Sequence, residues 1–421
     1  MRMLSKEGED TTPVGGIPAR WRLLPIKKIA KESTLRNGSE TGLPVILCSK
    51  YVGFVRSLDY FKKKVFSDDT SNYKVVKRNW IAYPSNHIEE GSIGLQTICD
   101  AGIVSPIYTV FSVNEEVEPD FIHRVLKTEL YRQKYVAAMN GSVDRRGSLR
   151  WPQFSQIKVP VPPLPEQRKI VSILAVVDDK LDVISRQIGV AQALKQGLMQ
   201  TLFLQSVGTQ DVAEWPKVSL DKIAEIRTGV AKGKKGLKVP VEVPYLRVAN
   251  VQDGHIDLRE VKTIAVEAAL VDRYTLQPGD VLMTEGGDFD KLGRGDVWEG
   301  QISPCVHQNH VFSVRPDSTK LNSYYLAALA ASHYGRQYFL SCAKRTTNLA
   351  SINSSQLKAF PVLLPSLDEQ ARIADIVAAA DARIKILKTK HSHYQTLKRG
   401  LMQKLLTGEW RVNLNSTTST T

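Results

Sequence analysis

The segment Leu194-Lys-Gln-Gly-Leu-Met-Gln200 returns as Leu397-Lys-Arg-Gly-Leu-Met-Gln403, an offset of 397 − 194 = 203 residues with one position in seven changed. The same offset joins Glu166-Gln167 to Glu369-Gln370, Ile170 to Ile373, Asp178 to Asp381 and Leu181 to Ile384. Farther upstream the register slips. Val110-Phe-Ser-Val113 matches Val311-Phe-Ser-Val314 at 201, and Trp21 with Ile29-Ala30 matches Trp215 with Ile223-Ala224 at 194. An insertion in a packed helix turns every later side chain by about 100°, whereas one in a surface loop costs little. The constant stretches therefore read as helices and the drifting ones as globular modules. The chain is a tandem duplication of one module-plus-helix unit.

In the first helix Ile170, Leu174, Val177, Leu181, Ile184, Ile188, Ala191, Leu194, Leu198 and Leu202 step by three or four, the seam of a coiled coil. The second carries Ile373, Val377, Ala380, Ile384, Leu387, His391, Tyr394, Leu397, Leu401 and Leu405. Pro165 suits a first helical turn, Ser366 with Glu369 reads as a capping box, and Gly208 and Gly408 end the two helices. Gly197 and Gly400 lie inside the pattern, where each costs about 1 kcal/mol against alanine unless a close approach offsets it. Their matched placement suggests a crossing or a docking face. Each helix runs about 40 residues, or about 60 Å, which suits a spacer better than a core helix. The expected arrangement is an antiparallel pair. The plainer alternative is two independent amphipathic helices, each covering its own module.

The fold expected is α+β: two globular mixed α/β domains separated by two long antiparallel coiled-coil helices, with a pseudo-two-fold internal repeat. The bounds read as a tail over 1–16, a module over 17–163, a helix over 164–207 and a linker over 208–214. A second module follows over 215–365, then a helix over 366–408 and a tail over 409–421. In the second module Tyr245 to Val251 alternates like a strand, Asp253-Gly254 is a hairpin turn, and Pro278-Gly279-Asp280 precedes the strand Val281 to Thr284. Tyr324 to Ser332 reads as a helix. In the first module Asn79 to Ala82 and Tyr108 to Val113 read as strands and Asp120 to Tyr131 as a helix.

With 57 basic and 43 acidic residues the net charge is +14, which favours an acidic partner, and nucleic acid before membrane. Neither a basic amphipathic helix nor a long apolar span is visible. Cys48, Cys99, Cys305 and Cys342 lack metal-ligand spacing, and the first residues lack an apolar leader core. The expectation is a cytoplasmic protein without structural zinc.

Pro162-Pro-Leu-Pro-Glu-Gln-Arg-Lys-Ile170 with Leu194 to Gln200, their second copies Leu364-Pro-Ser-Leu-Asp-Glu-Gln370 and Leu397 to Gln403, and two divergent modules ahead of them resemble the specificity subunit of type I restriction-modification systems. The likeness covers nearly the whole chain. Module two adds Arg247 to Gly254, Gly279 to Asp288 and Lys291 to Arg294, which look like a recurring recognition-domain type; module one lacks a recognisable counterpart of the last two. The departures are Arg168 where the second copy has Ala371, and a hydrophilic tail before Ile17.

The resemblance implies two target-recognition domains, each reading half of a bipartite, asymmetric site on double-stranded DNA, with helices that set the unread gap. It implies docking of two modification (methyltransferase) subunits, for which Glu166, Gln167, Gly197, Met199, Glu369, Gln370, Gly400 and Met402 are the candidate positions. Restriction (translocase-nuclease) subunits would join them, unless the system only modifies. S-adenosylmethionine, ATP and Mg would belong to those partners, with no cofactor on this chain and no enzyme activity of its own.

The candidate DNA-binding residues are basic clusters that would neutralise phosphates, and loops that would reach base edges. The first kind comprises Lys62, Lys63 and Lys64, then Arg145, Arg146 and Arg150, and the glycine-flanked Lys232, Lys234, Lys235 and Lys238. Lys74 to Arg78 forms a further basic run. The second kind comprises Asp288 for cytosine, Lys291, Arg294 for guanine, and Asn348 for adenine beside Lys344 and Arg345. A solvated face, a tight turn or a capped loop explains any one of these at least as well, and for Asn348 the capped loop is the preferred reading.

His87, His255, His307 and His310 show no ligand spacing, and His391 and His393 sit on the second helix; ordinary surface or core histidines account for all of them. Glu260-Val-Lys262 is too short a fragment to indicate a nuclease metal site. Gly229-Val-Ala-Lys-Gly-Lys falls one residue short of a phosphate loop, and no Gly-x-Gly-x-x-Gly follows a strand. The Asn-Pro-Pro-aromatic and Asp-Pro-Pro-aromatic segments of adenine methyltransferases are missing as well. A binding subunit is therefore preferred to an enzyme with concealed motifs or to a coiled-coil scaffold that binds only protein.

Overall fold

The computed structural model describes residues 11–12, 15–16, 18–39, 42–140, 147–204, 215–233, 236–287, 292–345 and 350–414. The chain divides into two compact units, residues 1–183 with 391–421, and residues 184–390. Each unit is one head joined to the start of the helix that follows it and to the end of the other helix.

The two long helices span Leu164–Leu204 and Leu367–Leu406. In the first unit Ile170 and Leu174 share one core with Leu405, Leu406 and the head residues Phe121, Ile122 and Val125. In the second unit Met199 and Phe203 share a core with Ile373, Val377, Tyr325, Leu326 and Leu329. Burying the helix ends under the heads provides much of the stability that short helical stretches lack in isolation.

Within each unit the helix segments run antiparallel. In the first, Arg411 pairs with Glu166 and Lys398 with Asp178, so one chain number rises as the other falls. In the second, Lys195 meets Asp381 while Met199 and Phe203 lie with Val377 and Ile373. Lys195 and Lys398, and Asp178 and Asp381, are themselves related by 203 residues, with Nζ–Oδ1 distances of 2.6 Å in both pairs.

These pairs correct the expected seam. Leu194 and Leu397 were placed in it, yet they are 62% and 49% exposed. After Ala191 the inward row continues through Lys195, Met199 and Phe203 instead. Straight helices at 3.6 residues per turn drift off a 3.5 repeat, so a row that begins at Ile170 moves to neighbouring positions within a few turns.

At the start of the second helix, Ser366 Oγ accepts from Glu369 N at 3.3 Å, as an N-cap should. The Glu369 carboxylate pairs with Arg372. Gly408 follows the helix with φ +80°, a conformation that favours glycine. Gly208 lies outside the described residues.

Both heads use one framework. Ala30–Glu32, Tyr108–Val113, Ile81–Pro84 and Gly94–Leu95 form an antiparallel sheet in the first, and Ala224–Thr228, Val311–Pro316, Val281–Thr284 and Gly295–Val297 form one in the second. In chain order both read first, fourth, second, third. Each head also pairs its entering strand with the strand before its helix: Arg22–Pro25 with Lys158–Val161, and Lys217–Ser219 with Pro361–Leu363.

The outer sheets differ. The first head carries the hairpin Ile46–Ser49 with Gly53–Arg56 and the pair Lys74–Lys77 with Ala101–Val104. The second carries Pro240–Leu246 between Lys262–Glu267 and Val306–His307, and the small hairpin Val251–Gln252 with His255–Ile256 around Asp253-Gly254.

Two elements expected in the first head shift. The strand expected from Asn79 begins at Ile81, because Asn79 has φ +65° and cannot extend. It stands where the second head has Gly279 at φ +94°. Asn79 N bonds Gln96 O and Gly279 N bonds Trp298 O, each at 2.8 Å. Asparagine visits the left-handed region more readily than other side chains, so the same turn forms here without glycine. The helix expected over Asp120 to Tyr131 is two helices, Pro119–Leu126 and Glu129–Asn140, separated by a turn at Lys127-Thr128.

Candidate nucleic-acid interface and helix surfaces

In the second head, the strands Gly286–Gly287, Ala350–Ser351 and Lys344–Arg345 form a three-stranded sheet. This sheet joins two candidate loops that lie some sixty positions apart in sequence, one containing Arg294 and the other beginning at Lys344. Gly286 allows a close approach there: a Cβ on it would come within 3.0 Å of the Ala350 carbonyl oxygen. The returning end of the first loop is anchored by buried Leu292, by Thr284 N donating to Arg294 O at 3.0 Å, and by the strand at Gly295. Arg294 itself is half-buried and Lys344 exposed. Asp288, Lys291 and Asn348 lie outside the described residues.

Lys232 and Lys238 are exposed, and Lys238 N and Val239 N donate to the Glu267 carboxylate at 2.7 and 2.8 Å. The backbone at Lys238 and Val239 is thus fastened, with the Lys232 and Lys238 side chains outward. Lys234 and Lys235 lie outside the described residues.

In the first head, Lys62, Lys63 and Lys64 are exposed just after the short helix Ser57–Phe61, next to exposed Tyr60 and Phe61. Lys64 pairs with Asp68 and sits 5.4 Å from the Phe66 ring centre. An exposed run of lysines suits contact with a phosphate backbone. Arg150 is exposed ahead of Trp151–Phe154, while Arg145 and Arg146 fall outside the described residues. The run Lys74 to Arg78 does not act as one patch. Lys74 Nζ donates to Tyr108 O at 2.6 Å, and burial draws its pKa down. Arg78 is committed to Asp100 and to the Thr97 carbonyl.

The histidines divide. His307 is a core residue: Nδ1 lies 2.7 Å from the Val311 carbonyl, and burial lowers its pKa, favouring the neutral ring. His87 belongs to a surface group with Glu89 and Glu90, whose potential ligand atoms lie within 4.8 Å of one another. His87 Nδ1 is 3.1 Å from Glu90 Oε1, and Lys50 Nζ is 3.8 Å from Glu90 Oε2, so an ion-pair cluster accounts for the grouping. The four cysteines are free, and burial pushes the Cys48 and Cys305 thiols up to about 12, leaving both as unreactive core groups.

The structure redistributes the docking candidates. Gln167 is fully buried: Oε1 accepts from Glu118 N at 2.8 Å, and Nε2 donates to Glu116 O at 3.1 Å and Pro162 O at 2.8 Å. Gln370 repeats this, accepting from Asn322 N at 2.8 Å and donating to Lys320 O and Pro365 O at 3.0 Å. Glu166 is 2% exposed, bonded by Trp21 Nε1 at 3.2 Å and by Arg411 at 2.7 and 2.9 Å. Met199 is buried in the second core and Met402 packs against the first. Glu166, Gln167, Met199 and Gln370 therefore fasten helix to head and are closed to a partner. Their constancy reflects internal bonding.

What remains outward is a row that sequence periodicity assigned to the seam or left out. On the first helix it is Val176, Val183, Val190, Leu194 and Gly197; on the second, Ile386, Leu397 and Gly400 stand at the same positions 203 residues on. A Cβ on Gly197 or Gly400 would meet nothing within 4 Å.

The duplicated framework, with two loops of the second head joined by a small sheet and with exposed apolar residues on the helices, defines a two-headed binding protein. The family model described as the type I restriction modification DNA specificity domain matches residues 35–190 and 213–393, and the chain belongs to that family. It is 29% identical over 196 residues to the putative type I restriction enzyme MjaX specificity subunit of Methanocaldococcus jannaschii, covering 46% of either chain. It is 25% identical over 341 residues to the EcoKI specificity subunit of Escherichia coli, covering 74% of this chain and 69% of that one. The chain thus spans about half the length of the first relative. A solved structure from a study of complex assembly and conformational transition of the type I R-M system shares the fold, with a TM-score of 0.59 at 18% identity over 94% of this chain and 99% of that one. So does the type I S subunit from M. genitalium, with a TM-score of 0.53 at 14% identity over 95% and 98%.

Proposed function

We propose that this chain is the DNA-recognition subunit of a type I restriction-modification complex, each head reading one half of a bipartite, asymmetric duplex target. The observation that carries the reading is one sheet framework used twice with different outer sheets and loops. A shared scaffold with unlike tips suits two related acts of recognition on two different sequences. The basic loops supply phosphate contacts, which position the heads, and their polar tips supply base contacts.

The helices set the unread gap, and their outward apolar row, centred on Leu194 with Gly197 and on Leu397 with Gly400, receives the modification subunits. The glycines let a partner backbone approach closely there. Methylation and cleavage, with S-adenosylmethionine, ATP and Mg, belong to those subunits and to the restriction subunits; this chain performs neither. No described helix is long and apolar enough to cross a membrane, and a cytoplasmic setting suits the role.

Two measurements test the reading. A titration of duplex binding against salt is expected to give a log–log slope of about −4 to −5 for five phosphate contacts, and a flat plot would overturn DNA recognition. Inserting four residues, one helical turn of about 6 Å, at matched positions in both helices is expected to lengthen the unread gap by about two base pairs. Methylome sequencing of cells carrying that variant with its partners reads the gap directly, and an unchanged gap removes the ruler role.

A further inference from the structure

We propose that the loop Asn86–Glu90 of the first head is its base-reading element, with Glu90 accepting a hydrogen bond from a base that presents an exocyclic amino group. The inference rests on the DNA-recognition reading above and assigns residues to the half-site for which sequence comparison offered no loop.

The assignment follows from hydrogen bonds that repeat between the heads. Leu149 N donates to Ser85 O and Ile352 N donates to Glu285 O, both at 2.8 Å, with Leu149 and Ile352 buried. Gln96 N donates to Trp80 O and Trp298 N donates to Asp280 O, again both at 2.8 Å. Between these fixed points each chain leaves the second strand of its sheet and returns as the third. In the second head that connection carries Gly286, Gly287 and Arg294; in the first it carries Asn86, His87, Glu89 and Glu90. Buried Leu292 and buried Ile93 anchor the returning ends. The two stretches share no residue pattern, which is why only the backbone register relates them.

The first head's loop is built for rigid presentation. Ile88 is buried beneath it, Arg132 Nε donates to the Glu89 carbonyl at 3.1 Å, and Gly91 turns the chain at φ +90°. His87 and Glu90 stay exposed above that base, 3.1 Å apart, with Lys50 reaching Glu90 from the neighbouring hairpin. A carboxylate with an imidazole nitrogen 3.1 Å from one oxygen and an ammonium 3.8 Å from the other has its acceptor oxygens oriented while remaining open to a ligand. An acceptor of that kind selects cytosine N4 or adenine N6 in the major groove.

The test uses the full chain assembled with its modification subunits and a duplex pool randomised across both halves of the target. Glu90→Gln and His87→Ala are expected to lower selectivity about tenfold at one or two positions within one half, and to leave the other half unchanged. Both side chains are exposed, so an unaltered melting temperature verifies folding, and His87→Gln provides a second, milder variant. Unchanged selectivity in the variants overturns the assignment, as does an equal loss across both halves, which would mark a general phosphate or scaffold role. A wild-type complex that selects no sequence from the pool would overturn the underlying DNA-recognition reading as well.

Discussion

Asp280→Ala is expected to destabilise the second unit by about 3 kcal/mol, the lower end for breaking a buried charge pair, because Arg315 keeps some access to water. Asp280 is 1% exposed and holds Arg315 through both oxygens, Nε–Oδ1 at 2.7 Å and Nη2–Oδ2 at 2.8 Å, while Oδ2 also accepts from Gln277 N at 2.9 Å. The carboxylate thus closes the turn before the central strand Val281–Thr284 and ties it to Val311–Pro316. For a unit of residues 184–390, such a loss corresponds to a fall of about 6–12 °C in melting temperature by calorimetry. The double variant Asp280→Ala with Arg315→Met should recover part of the loss, since no unpaired charge is then left. A melting temperature unchanged in the single variant would show that the pair contributes nothing.

Gln167→Leu and Gln370→Leu carry an effect of similar size. Each change keeps the side-chain volume but orphans one backbone N–H and two carbonyls at the entry to a long helix. Leaving such groups unsatisfied costs about 1–3 kcal/mol apiece before relaxation, so about 3 kcal/mol in total is expected once water reaches some of them. Each variant should lower the melting of its own unit. If these glutamines instead formed part of a docking face, melting would be unchanged and only partner binding would fall. Measuring melting of the isolated chain, then pull-down with the modification subunit, separates the two.

Much of this was legible from the sequence because of how helices constrain substitution. A packed helix admits no insertion without rotating its whole face, so the constant offset of 203 marked the helices and the duplication. It did not reveal which way each constant residue faces. Glu166, Gln167, Leu194 and Met199 are equally constant between the repeats, yet three point inward and one outward. The slow drift of a straight helix against a heptad seam is settled only by what packs beside it.

The loops were legible as composition but not as a site. Glycine-rich and basic stretches around 286–295 and 344–349 stand out in sequence, whereas their pairing through Ala350–Ser351 depends on a strand contact that local pattern does not encode. The first head is harder still: Asn79 stands where the second head has a turn glycine, and the loop at 86–90 shares no residue type with its counterpart. Backbone hydrogen bonding tolerates such replacement because it depends on φ and ψ rather than on side-chain identity.

The sequence by itself therefore determined that the chain is duplicated, that two long helices alternate with two α+β heads, and that the chain carries a net positive charge. Periodicity and charge are properties of order along a chain. Only the tertiary structure decided that each compact unit joins the start of one helix to the end of the other, that the repeated glutamines bind inward, and which loops are joined by one small sheet. Those are contacts between residues tens to hundreds of positions apart, and packing selects among the many pairings that local pattern allows.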